Sequence, residues 1–216
     1  MVFKRRDARS WPQAIGHIFY PKGGWGRAVS YVGHRLRRLP DPPHKIARGV
    51  AAGVFVCFTP FFGFHFVLAG MLAFVMQGNL LAAILATFFG NPITFPIIAA
   101  VSLELGTWML GIQGGLPLQQ VFGQFARASV ELWSNMTALF NQDIAQWDRL
   151  QIFYYRVFWP YLVGGIIPGI ITGVAAYMLT LPAVEAYQKR RVKKLKARFE
   201  KRRRAMEKAD AGKKRD

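Results

Sequence analysis

The residues of this 216-residue chain best suited to chemistry stand at two interruptions of otherwise apolar sequence. The first is Thr59-Pro60-Phe61-Phe62-Gly63, with His65 just beyond it; the second is Gly90-Asn91-Pro92, followed by Thr94 and Pro96 and then, further along, Glu104. Pro60 and Pro92 each remove a backbone donor and free a carbonyl, and Gly63 and Gly90 permit tight turns. Thr59, Asn91 and Thr94 can hydrogen-bond the groups so freed. Irregular backbone in hydrocarbon survives only where it is buried in protein or lines a wet cavity. The breaks also resemble each other, Thr59-Pro60-Phe61-Phe62-Gly63 beside Thr87-Phe88-Phe89-Gly90-Asn91-Pro92, and paired Gly/Pro-broken segments point to the substrate site of transporters built from repeats. A plain structural kink is the competing reading of each break. His65 and Glu104 are ionisable groups inside apolar blocks, where a charge is expensive and therefore a functional candidate. Each serves either as a proton or headgroup partner or as a simple hydrogen-bond partner for a freed backbone group.

Other chemistries lack their residues. The chain has no P-loop, dinucleotide-binding, nucleophile-elbow or His-Glu-x-x-His motif. His17, His34 and His44 stand in a basic arm without ligand spacing, and no carboxylates pair near an apolar segment. Cys57 is the only cysteine, which excludes an internal disulfide and a cysteine metal cluster. The reading is therefore of a protein that is not an enzyme and uses no cofactor or metal.

Three apolar blocks must position the breaks: 49–77, 79–112 and 157–181. A bilayer core of about 30 Å needs roughly 20 helical residues, so the third block suits one crossing. The first two are too long for one straight helix and too short for two crossings each. Gly165, Gly169 and Gly173 recur at four-residue steps, a spacing that lets helices pack closely in lipid. Upstream, Trp25, Val29, Val32, Leu36 and Leu39 alternate with Arg27, Arg35, Arg37 and Arg38 as a short amphipathic helix, stopped by Pro40-Asp41-Pro42-Pro43. Trp11, Phe19, Tyr20 and Trp25 suit a headgroup interface; a small subdomain with buried aromatics is the alternative. Downstream, 184–208 reads as a basic helix with a rough apolar stripe, and 113–156 as one or two surface helices with Arg127 and Glu131 spaced as a helix pair.

Charge follows the same division. The net charge is +18 with 52% apolar residues, but the two do not mix. Residues 1–48 carry 11 basic and 2 acidic groups, 49–126 only Glu104, 157–184 none, and 185–216 carry 15 basic and 5 acidic groups. This excludes a disordered basic protein and implies three parts: a basic arm over 1–48, a helical membrane domain over 49–184 and a basic tail over 185–216. No cleavable signal is visible at Met1–Arg9. The positive-inside tendency puts both arms in the cytoplasm, which requires an even number of crossings. One of the first two blocks is then a re-entrant hairpin, and 113–156 lies outside. Arg35, Arg37, Arg38, Lys189, Arg190, Arg191, Lys193 and Lys194 are candidates for anionic headgroups. Nucleic acid is the less favoured partner because no recognition motif accompanies the charge. A homo-oligomer is compatible with this reading.

Asn91-Pro92-Ile93-Thr94-Phe95-Pro96, with Gly49 to Gly53, Thr59-Pro60-Phe61-Phe62-Gly63-Phe64-His65 and Gly78-Asn79-Leu80 before it, resembles the bacterial membrane family called domain of unknown function 2062. The resemblance runs from about Lys45 to Leu181, and the basic N-terminal arm also looks like the family. It implies a small integral inner-membrane protein and brings no established activity or catalytic residues. The pattern of two broken apolar segments followed by helices is also similar to DedA-type proteins, linked to lipid translocation. This chain lacks the acidic residue at the first break and the arginine motif of that group, so the likeness is of architecture alone. The expected fold is an all-α integral membrane protein of Pro/Gly-broken transmembrane or re-entrant helices, with basic amphipathic helices at both ends. The expected function is translocation of a lipid or small polar solute at the two breaks; a non-catalytic scaffold or assembly factor bound to anionic lipid is the alternative.

Overall fold

A computed structural model of the chain describes residues 24–112, 118–141 and 147–213, and among these every regular element is helical. Residues Trp11, His17, Phe19 and Tyr20 lie outside the described residues, as do 113–117, 142–146 and 214–216.

Helix α1, Gly24–Arg37, is the amphipathic segment, and it ends before the proline run as that run requires. Helix α2, Pro43–Val56, starts with Pro43 in its first turn, where the missing N–H has no helical partner to lose. After the first break the chain reverses into α3, His65–Val75. The reversal is complete: Ala52 and Val56 pack on Ala69 and Ala73, and Arg48 Nη1 donates to the Met76 carbonyl at 3.1 Å. Gly78 then lies against the backbone of Arg48 and Gly49. The first apolar block is thus a helical hairpin that returns to the level at which it began.

Helix α4, Leu80–Ala86, is capped by Asn79, whose Oδ1 accepts from the Ala82 amide at 2.6 Å. It climbs beside α2, because Gly49 and Gly53 let Ala82, Ala83 and Ala86 approach the α2 backbone. A 3-10 turn, Thr87–Phe89, carries the chain into the second break. Helix α5, Thr94–Met109, leaves it at 86° to the α4 segment. Helices α6, Leu118–Asn141, and α7, Asp148–Phe153, form an outer corner. A π-turn at Tyr154–Phe158 leads into α8, Trp159–Lys213.

Helix α8 continues through Pro168 and Pro182 and so joins the third apolar block to the basic tail. No structural boundary falls at 184–185. The predicted glycine stripe faces α2: Gly165 lies against Phe58, Gly169 against Phe55 and Phe58, and Gly173 against Ala51. One end of the bundle is tied by polar contacts. His44 Nδ1 lies 3.0 Å from the Tyr177 hydroxyl, Gln188 Nε2 donates to the Asp41 carbonyl at 3.0 Å, and Asn79 Nδ2 donates to the Asp41 carboxylate.

The segment Asp148–Arg204 is long and apolar enough to cross a membrane, and only 22% of its most apolar window is buried. The α4–α5 pair passes the same test only if its bend is counted within one span. Helices α3, α5 and α8 leave large apolar side chains exposed, among them Phe66, Met71, Phe74, Ile97, Trp108, Ile170 and Leu179, with Phe74 84% and Trp108 79% exposed.

Candidate functional site

The two breaks, separate in sequence, meet in space. Gly90 packs against Cys57 at the end of α2. The buried Cys57 thiol donates to the Gly53 carbonyl at 3.2 Å and reaches the Thr87 carbonyl at 3.4 Å. The Phe58 and Phe89 rings stack at 6.3 Å. Phe62, inside the first break, is the joining residue. Its ring meets Phe95 at 4.6 Å, Phe125 at 4.3 Å, His65 at 5.7 Å and Tyr161 at 6.0 Å, each edge to face. Such pairs contribute about 0.5–1.5 kcal/mol beyond their area burial.

The polar residues of the breaks serve the local backbone. Thr59 Oγ1 donates to the Val56 carbonyl at 2.7 Å, and His65 Nε2 stands 3.2 Å from the Thr59 carbonyl. At the second break the Asn91 Oδ1 accepts from the amides of Ile93 at 2.9 Å and Thr94 at 3.1 Å. The Thr94 hydroxyl accepts from the Asn91 amide at 3.1 Å and donates to the Phe89 carbonyl. The Phe95 amide donates to the Asn91 carbonyl at 2.8 Å, which is the first helical bond. This is a reciprocal cap, with Pro92 where its lack of an N–H is harmless. Pro96 falls in the first turn of α5, one residue beyond that bond, and leaves the Pro92 carbonyl without a donor four residues on. The Asn-Pro-x-Thr motif therefore opens α5 after a sharp bend.

A prediction follows from this geometry. Asn91→Ala is expected to lower stability by about 1 kcal/mol, as loss of a cap does, while Asn91→Asp and Asn91→Ser stay near wild type. Thermal unfolding in detergent measures it; equal losses in all three variants would mean that the amide does more than cap.

Asn91 and Thr94 also stand at the wall of an apolar cavity of about 550 Å³ between α1, α2 and the second break. Val29, Val32 and Leu36 of α1, Val54 of α2 and Phe88 complete the wall that matters here. The volume is in the usual range of ligand clefts, about 300–1,000 Å³. Arg35 and Arg37 are exposed on α1, and Arg38 is exposed just beyond its end.

Glu104 is not brought to the breaks. It is exposed on α5 among the exposed Ile97, Val101 and Trp108, about 15 Å along the helix from Thr94 at 1.5 Å per residue. Lys189, Arg190, Arg191, Lys193 and Lys194 are exposed on the continuation of α8, and Lys189 pairs with Glu185 at 3.7 Å. Pro60 is buried and Gly63 has φ +86°, the left-handed turn its residue type allows.

Several working residues carried no signal in the sequence. Phe62 is one phenylalanine among 18. Gly106 and Gly164 are backbone contacts between α5 and α8. Ser102 and Tyr161 bury hydroxyls that find no hydrogen-bond partner among the described residues. Glu131 is the clearest correction: it does not pair with Arg127. Its buried carboxylate accepts the amides of Arg149 at 3.3 Å and Leu150 at 2.6 Å and so caps α7. Only the fold that brings α7 beside α6 could reveal this.

A family model described as an uncharacterized protein conserved in bacteria, DUF2062, matches residues 26–193. No curated protein and no solved structure matches the chain, and the likeness to DedA-type proteins stays one of pattern. Because the matched segment spans far more than half of the sequence, the chain belongs to the bacterial DUF2062 family.

Proposed function

We propose that this protein is a multi-pass inner-membrane protein that handles lipid, moving it or presenting it at the second break. The observation that carries the reading is the apolar cavity of about 550 Å³ whose wall includes Asn91 and Thr94 and one side of a basic amphipathic helix. An acyl chain suits such walls, and exposed arginines on α1 suit an anionic headgroup. Membrane insertion is supported by the exposed apolar side chains of α3, α5 and α8, too many for a surface in water. The returning α2–α3 hairpin supports an even number of crossings: the bent α4–α5 pair as one, α8 as the other, and both termini cytoplasmic. Lys189, Arg190 and Arg191 then stand nearest the headgroups. The role is non-enzymatic and needs no cofactor.

The test is phospholipid translocation in proteoliposomes. Val32→Trp fills the cavity from a half-buried position on α1 and leaves the α5 cap untouched. It is expected to remove most translocation while the melting temperature holds. Activity unchanged by Val32→Trp would remove the cavity from the function, and a folded wild type without activity would remove translocation itself.

The scaffold reading has its own observation, namely that Asn91 and Thr94 direct their hydrogen bonds at their own backbone. It expects Val32→Trp to be silent and capture of a second copy or of a membrane partner to depend on the exposed faces.

A further inference from the structure

Outside the breaks, the corner between α6 and α7 holds two arginines with no acidic partner among the described residues. Arg127 stands one helical turn before Glu131, a spacing that normally allows a pair. Glu131 is only 7% exposed and gives both carboxylate oxygens to backbone amides of α7. Among the described residues neither Arg127 nor Arg149 forms an ion pair. Both are exposed, and both line one cavity of about 380 Å³ with Gln124 and Ile152. Gln124 and Arg127 share a face of α6, and Arg149 and Ile152 share a face of α7, each three residues apart. Asp148, the neighbouring acid, is not part of this lining.

The donor set specifies a ligand class. A guanidinium offers N–H donors in a rigid fork and accepts nothing. Two such side chains lining one cleft, with Gln124 in the same lining, match an oxyanion with several acceptor oxygens, and arginine is the residue favoured for planar, bidentate phosphate recognition. The geometry points to a phosphate-binding site at the α6–α7 corner, held by Arg127 and Arg149 with Gln124 in support. A free phosphate and the phosphodiester of a lipid headgroup share this chemistry. The site is separate from the cavity under α1, and the inference does not depend on lipid translocation.

The full chain in neutral detergent is titrated calorimetrically with inorganic phosphate. In parallel it is placed in nanodiscs of phosphatidylcholine with or without phosphatidylglycerol, and retained lipid is counted by native mass spectrometry. Arg127→Gln and Arg149→Gln are each expected to weaken binding roughly tenfold, the scale set by a charge-assisted hydrogen bond of about 1.5 kcal/mol. Arg127→Lys keeps the charge but loses the fork, so it is also expected to weaken binding. Arg156→Gln, at an exposed arginine outside this lining, is expected to leave it unchanged. Phosphate bound by the wild type and lost in the Arg variants assigns a free-phosphate site; phosphatidylglycerol retained alone and lost in the same variants assigns a headgroup site. Binding of neither probe, or binding indifferent to both Gln variants, overturns the inference. The variants are at exposed positions, and the α7 cap uses the backbone amide of residue 149, so melting temperature stays as the folding control.

Discussion

Gly106→Ala is expected to be among the most destabilising single changes in the chain, at about 3 kcal/mol, the upper end for overpacking. The reason is what the new methyl group would meet. It would fall on the carbonyl oxygen of Pro160, with the carbonyl carbon at 2.6 Å and the Gly164 amide at 3.1 Å. These are backbone atoms of α8 and cannot turn aside as a side chain can. Gly164→Ala repeats the experiment from the other helix, because its methyl group would meet the Ser102 carbonyl and the Gly106 backbone. The two single changes act on one contact, so the double variant is expected to lose less than their sum. Gly26→Ala and Gly123→Ala are the controls. Nothing lies within 4 Å of a methyl group at either position, and relief of the glycine penalty in a helix is expected to gain up to about 1 kcal/mol. Thermal unfolding in one detergent orders the four; a Gly106 variant as stable as the Gly123 variant would mean that α5 and α8 do not touch backbone to backbone.

This contrast shows which part of the architecture was legible. The stripe Gly165-Gly169-Gly173 is periodic on one helix, so its four-residue step announces a packing face, and the structure puts α2 against it. Gly106 stands alone in its helix, and its meaning lies in Pro160 and Gly164, more than fifty residues away. The breaks were legible because proline and glycine act locally: Pro60 and Gly63 end one helix and turn the chain, and Pro92 begins another. That the first break closes a hairpin follows from Ala52 and Val56 meeting Ala69 and Ala73, which no local rule states.

The candidate site divides in the same manner. Asn91 and Thr94 were legible as hydrogen-bonding groups at a break, and they bond the break's own backbone. The cavity beside them was not legible, because its opposite wall comes from Val29, Val32 and Leu36 on α1. Those residues read as the apolar face of an amphipathic helix, and periodicity alone does not say what such a face covers. Glu104 was singled out by charge alone. Its exposed place beside Val101 and Trp108 separates it from both breaks; the burial that would have joined it to them depended on which side of α5 meets α8.

Phe62→Ala is expected to loosen α6 from the two breaks and to lower stability by about 3 kcal/mol, the lower end for loss of a packed phenylalanine, since Phe62 is only partly buried. One ring supplies an edge or a face to His65, Phe95, Phe125 and Tyr161, which belong to α3, α5, α6 and α8. No other residue of the first break touches so many elements through its ring. The loss should therefore be regional before it is global. Helix α6 holds to the rest through Val121, Phe125 and Ala128 in the cluster that includes Phe62, so it is expected to open first. Limited proteolysis at Arg127 should then occur at protease levels that leave the wild type intact, while α2 and α4, packed through Gly49 and Gly53, keep their protection in hydrogen exchange. Phe62→Leu restores volume without the aromatic edges and should fall between the two. Phe64→Ala, at a neighbouring position that is 65% exposed, should change little. If α6 and α2 lose protection together in Phe62→Ala, the ring is part of one indivisible core and does not hold α6 separately. If α6 loosens alone, Phe62 is the contact by which a change at either break reaches the outer corner of the molecule.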